Sequence, residues 1–173
     1  MYNTAVGYNA GVVLETGTAN TFVGALAGDG NDDGANNTAV GLSALSANCG
    51  DNNTAVGMQS LLSATGSLNT ALGKDSGYFN TGASNTFLGA STGVYATSAD
   101  YSTFIGWRAG QGVAAGTGAG VLTGNNNTAV GKDAGLLLQG TANANTLLGA
   151  AAGDNITTGD SNIIIGNGID AAS

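Results

Sequence analysis

The sequence has no histidine and no proline, one cysteine, one tryptophan and three basic residues among 173. Each scarcity removes a class of function. With no His, a lone Glu15 and a lone Cys49, nucleophilic catalysis lacks a base to set beside a nucleophile. The ten remaining acids are Asp scattered through turn-like segments, which disfavours the paired carboxylates of a glycoside hydrolase. The chain is therefore not expected to be an enzyme. Lys74, Lys132 and Arg108 stand against eleven acids, for a net charge of −8. Neutralising phosphates takes basic residues, so neither nucleic acid nor an anionic membrane is an expected partner. The acidity instead keeps a large assembly soluble. A single cysteine cannot form an internal disulfide, and Cys49 is expected to be a tolerated turn residue in 46–50. No apolar run approaches the ~20 residues that span a bilayer, so membrane insertion is not expected.

What is present is a repeat. Asn3-Thr4-Ala5-Val6-Gly7 recurs in variant form ten times, its glycine falling at Gly7, Gly24, Gly41, Gly57, Gly73, Gly89, Gly106, Gly131, Gly149 and Gly166. The step is 16–18 residues except between Gly106 and Gly131, where it is 25. Helical repeats need about 33 residues or more and leucine-rich repeats about 20 or more, so neither fits. A coil of a parallel β-solenoid does fit, with two short strands and two turns. Only 8% of residues are charged and 31 are Gly, against about a quarter charged in ordinary domains. The strict phase and 42% hydrophobic content argue for stacked order rather than disorder. The expected fold is all-β: one solenoid domain over 1–173, about ten coils, with a Gly-rich loop inserted at about 107–126.

Within the pentad, the residue before Gly is always a branched aliphatic, and Thr stands two residues earlier in nine copies, with Ile163 in the tenth. These two share one face of an extended chain. The residue between them points the other way and is also apolar, running from Ala5 and Ala39 to Phe22, Phe87, Phe104, Leu147 and Ile164. Every coil of a stack offers a similar interior volume, so uniform Thr and Val rows are expected inside and the variable row outside. Ten aligned apolar residues on an outer face need a cover. The economical one is another copy of the chain, with Phe22, Phe87, Phe104, Leu147 and Ile164 at the interface. Small residues three positions past the glycine (Ala10, Ala27, Ser60 and equivalents) are expected where the coil is thin, and the Gly that usually follows is expected at a positive φ. The Asn that opens nearly every pentad should stack into an amide ladder.

Repeats of the form Asn-Thr-Ala-Val-Gly-x-x-Ala-Gly resemble the head repeats of trimeric autotransporter adhesins, whose pattern is Ser-Val-Ala-Ile-Gly-x-x-Ala. They are closer still to repeats in phage tail fibres and large bacterial surface proteins. The resemblance covers nearly the whole chain, departing from the adhesin pattern in Thr for Val and in a unit longer than 14 residues. It implies a left-handed parallel β-roll, a homotrimer around one axis, and attachment or display at a cell surface or virion fibre. It implies no catalysis and leaves the ligand open. Met1-Tyr2 runs straight into the first pentad and neither end offers a polar cap. Such a chain is expected to be a segment of a longer extracellular fibre, or to have its ends covered by stacked neighbours.

Two stretches stand apart. Asp29-Gly30-Asn31-Asp32-Asp33-Gly34 matches the opening of a calcium loop, with ligands expected at Asp29, Asn31 and Asp33. Val40 occupies the place of the closing Glu, and a solvated acidic turn is the alternative. Apart from that ion, no cofactor is expected. Trp107, beside the insertion, is a candidate ligand contact or simply a cover for its coil. A second function stays open: ice binding, which uses Thr rows on a flat β face. It requires the Thr and Val rows to point outward.

Overall fold

The computed structural model describes residues 2–114 and 120–170. Ten three-residue strands, β1 (Thr4–Val6), β2 (Thr21–Val23), β3 (Thr38–Val40), β4 (Thr54–Val56), β5 (Thr70–Leu72), β6 (Thr86–Leu88), β7 (Thr103–Ile105), β8 (Thr128–Val130), β9 (Thr146–Leu148) and β10 (Ile163–Ile165), form one sheet. Their order in the sheet is their order in the chain, and all nine pairings are parallel. Register is set pentad on pentad: Thr21 pairs with Thr38, Phe22 with Ala39, Val23 with Val40. The protein is a parallel β-solenoid, as the repeat predicts. Each coil contributes one strand to this sheet rather than two. Its other side is held by backbone bonds between coils, such as Gly28 N–H to Ala44 O at 2.9 Å and Leu61 N–H to Ser76 O at 2.9 Å.

Each strand ends where the next residue must be glycine. Gly41 has φ +138°, and a Cβ placed on it would lie 2.6 Å from the carbonyl oxygen of Gly57 in the following coil. No side chain fits that stack. The opposite corner of the coil turns through left-handed residues that are not glycine, including Asn36, Asn52 and Asn126, a residue type that tolerates this region.

The faces are the reverse of the sequence expectation. Phe22, Ala39, Ala55, Ala71, Phe87, Phe104, Ala129 and Leu147 are completely buried inside the coil, and Ile164 nearly so. The Thr row and the aliphatic row point outward. Ile163, which replaces Thr, is 76% exposed. The variable row fits inside because its size is matched by the facing position and by neighbouring coils together, not along one row: at Gly77, which faces Ala71, the space is filled by the Leu61 and Phe87 side chains. Phe22 faces Gly28 and Phe104 faces Gly110, where an added Cβ would meet the ring at 2.6 and 2.5 Å. Opposite Ala39 and Ala55 the chain instead carries Leu45 and Leu61, both wholly buried. The small residues expected where the coil is thin do lie in the core, among them Ala27, Ala44, Ser60, Ala109 and Ala134. The glycines after them adopt positive φ, and Leu45 and Leu61 take the same conformation at φ 55° and 50°.

A polar spine runs beside this core. The Oδ1 of each ladder Asn accepts the backbone N–H of its counterpart in the next coil: Asn37 N–H to Asn20 at 2.8 Å, Asn53 to Asn37 at 2.7 Å, Asn69 to Asn53 at 2.9 Å. The Nδ2 donates to a turn carbonyl, such as that of Gly34 or Gly82. The ladder is thus mainly side chain to backbone. Amide bonds amide only near the end, Asn145 to Asn127 and Asn162 to Asn145. Ser102 takes one rung, its Oγ accepting from Asn127 N–H at 3.2 Å. These bonds satisfy donors that burial would otherwise strand.

The long interval leaves the coil path after Gly112, whose N–H still bonds Leu136 O, and rejoins it at Leu122, bridged in parallel to Ala96 and Gly140. Residues 115–119 of the expected loop lie outside the described residues.

Candidate functional site

The outer face of the sheet presents ten rungs in register. It carries two parallel rows, Thr on one side and Val, Leu or Ile on the other. Adjacent rungs lie ~4.8 Å apart, and the two rows are separated by two residues, or roughly 6.6 Å. Val6, Val23, Val40, Leu72, Leu88, Leu148 and Ile165 are all substantially exposed. No charged residue interrupts either row. β-branched residues suit strands, which accounts for part of this uniformity. Any surface that repeats at the rung spacing would meet the same two groups in nine of the ten coils.

The expected interface residues Phe22, Phe87, Phe104, Leu147 and Ile164 cannot contact a partner, because they form the core. Phe87 and Phe104 pack ring on ring with centroids 5.9 Å apart. What lies where that interface was expected is the Thr and aliphatic face.

At the acidic turn, Asn31 is withdrawn into the coil. Its Nδ2 donates to Gly34 O at 3.0 Å and its Oδ1 accepts from Cys49 Sγ at 3.3 Å. Asp33 is exposed and Asp29 half-buried, with Asp29 Oδ1 lacking a hydrogen-bond partner. Of the three expected calcium ligands, Asn31 thus has both side-chain atoms engaged within the coil, while Asp29 and Asp33 keep carboxylate oxygens uncommitted to it. Among the described residues, no three His, Cys, Asp or Glu side chains are grouped to hold a metal ion. Cys49 is also inside, not at a turn surface, and burial pushes its thiol pKa up to about 12.

Trp107 stands just past β7 and keeps about half its surface open. The Arg108 guanidinium lies 4.6 Å from its ring centroid and the Lys132 ammonium 5.3 Å. Asp133 pairs with both cations, at 2.8 Å to Arg108 and 3.0 Å to Lys132. Lys74 and Asp75 form the equivalent pair three coils earlier. The indole is thus held beside two cations that share one carboxylate, one from its own coil and one from the next. Cation–π contacts at such exposed sites contribute about 0.5–1 kcal/mol each.

A further cluster carries no motif signal. Tyr78, Phe79 and Tyr95 meet on the side of the coil away from the sheet, beside the insertion. The signal for it is positional: aromatics stand six residues past the strand glycine in two consecutive coils, where Val13, Gly30, Ala47 and Ser63 stand earlier.

Site and fold together define a non-globular class, a parallel β-solenoid with a two-row Thr/aliphatic face. Comparison with protein-family models, curated proteins and solved structures finds no match for the chain.

Proposed function

We propose that the chain is a non-catalytic, rigid segment of an extracellular fibre or adhesin head, in which copies pack together through the Thr/aliphatic sheet face. The supporting observation is that this face keeps Thr in nine of ten coils beside a branched aliphatic in all ten, while the interior varies from Ala to Phe. A contiguous apolar stripe of this length is larger than soluble monomers leave open. A second copy in register presents the same repeat, and in-register packing of identical rows is self-complementary at every rung. Three copies is the number that the adhesin-head resemblance implies. The chain then serves as a spacer and display surface on a cell or virion, its length set by the number of coils. Sedimentation equilibrium tests this. A mass of three chains supports it, and a monomer at micromolar concentration overturns it.

One observation favours a second function on the same face. Ice binding requires Thr rows pointing outward from a flat sheet, and the Thr row does point outward. Thermal hysteresis with faceted ice crystals from a monomeric chain establishes that function and excludes the first. Absence of ice shaping removes it.

A further inference from the structure

We propose that the aromatic cluster Tyr78, Phe79 and Tyr95 is a binding site for a neutral saccharide, on the side of the solenoid opposite the sheet. Phe79 and Tyr95 each stand eight residues beyond a strand centre, Ala71 and Phe87, in coils of 16 and 17 residues. They lie half a turn round from the strands, so covering the Thr/aliphatic face leaves them open. The site goes beyond fibre assembly and does not depend on it.

The two rings are stacked, with centroids 5.6 Å apart and planes within 17°, and Tyr78 tilts against Phe79 at 4.4 Å. Phe79 is 40% exposed. The stacking is a consequence of the repeat: Phe79 N–H bonds Val94 O, and Tyr95 N–H bonds Gln111 O, so equivalent side chains on successive rungs align. In the next coil the equivalent residue is Gly112, a position that places no side chain over Tyr95. The chain spends three of its ten Tyr, Phe and Trp residues on this one patch.

Cavities open on both flanks of this ridge. One, of about 500 Å³, is lined by Phe79 and Tyr95 together with Ser63, Thr81, Thr97 and Val121. The other, of about 310 Å³, also borders both rings and is lined by Gln59, Asp75, Ser91 and Gln111. Both volumes fall in the range of small-molecule sites. Asp75 Oδ1 is left without a hydrogen-bond partner.

This combination selects a ligand chemistry. A pyranose offers an apolar face of C–H groups, slightly positive, which suits the negative face of an aromatic ring. Its rim of hydroxyls suits planar groups that donate and accept in pairs, as the half-buried Gln59 and Gln111 do. An apolar ligand would strip water from Gln59 and Gln111 without replacing its hydrogen bonds, at a cost. An anionic glycan would meet Asp75 on a chain of net charge −8. A neutral oligosaccharide laid across the ridge satisfies both flanks.

The test is calorimetry and saturation-transfer NMR on the intact chain with cellohexaose, maltohexaose and chitohexaose as probes. At least one should bind, with saturation transferred to its ring protons. Phe79→Ala and Tyr95→Ala should each weaken that binding tenfold or more, and Gln111→Ala severalfold. Trp107→Ala should leave it unchanged. Circular dichroism verifies that each variant is folded, and Phe79→Tyr should retain binding where Phe79→Ala loses it. Failure of all three probes to bind, or binding that survives both aromatic truncations, overturns the site. Either result leaves the oligomeric mass, and hence the fibre function, untouched.

Discussion

At the scale of single residues, the interior is more polar than the composition suggests, and its polar groups are the ones that tie coils together. Asn69 is wholly buried. Its Oδ1 accepts Asn85 N–H at 3.0 Å and its Nδ2 donates to Gly82 O at 2.9 Å. Asn69→Ala strands both backbone partners, each worth about 1–3 kcal/mol. The expected outcome is a loss of roughly 2–5 kcal/mol in urea denaturation, with faster amide exchange at Asn85 before any other ladder position. Cys49 gives a pH signature. Its thiol is raised from 9.0 to about 12, chiefly by burial. Below pH 9.0 the thiol is protonated in both folded and unfolded chains, and its contribution is intact. Above 9.0 the unfolded thiol ionises first, so stability falls with rising pH by about 1.4 kcal/mol per unit until the folded pKa is reached. Between pH 8 and 10.5 the wild type should lose roughly 2 kcal/mol more than Cys49→Ala. Equal losses in the two proteins would show that the thiol is not buried.

At the scale of the element, one coil is a three-residue strand, a glycine that no other residue can replace, and a pair of facing core positions whose space is filled by the pair and by side chains of the neighbouring coils. That pairing makes a double-substitution test. Ala39→Phe alone overfills its coil against Leu45, and Leu45→Gly alone opens a cavity opposite Ala39. Each should cost about 2–4 kcal/mol. Combined, they recreate the Phe22 and Gly28 arrangement, and the double variant should recover most of the loss in a thermal melt. Additive losses would mean that the two positions do not share a volume. The period, the strand positions, the parallel order and the register were all legible in the sequence, because each follows from the spacing of one pentad. Which face points inward was not. Looking for uniformity within one row pointed to Thr and Val, whereas packing is shared between two rows and between adjacent coils. Ala39 with Leu45, and Phe22 with Gly28, carried that information six residues apart. Asn31 and Cys49 were misplaced for a related reason: turn residues follow no period-two alternation, so their direction depends on corners that the pattern does not encode. The aromatic ridge was invisible as a motif because its rings are 16 residues apart and meet only through stacking.

At the scale of the whole molecule, a solenoid is stabilised by contacts between neighbouring coils, so the surface it exposes repeats with its coils. The Thr/aliphatic face is that surface here, and the proposed fibre function rests on its being covered by further copies. The correction of the faces changes which substitutions bear on assembly. Phe87→Asp buries a charge inside the coil and should unfold the chain, rather than dissociate a folded one. Leu72→Asp with Leu88→Asp places two charges on adjacent rungs of the outer face, where β5 and β6 have room for them. Sedimentation velocity of the wild type beside that double variant is the most direct measurement. The expected result is a trimer for the wild type and a monomer for the double variant, with the same β-rich circular dichroism spectrum. A wild type that sediments as a monomer, or a double variant that remains a trimer, would contradict assembly through this face.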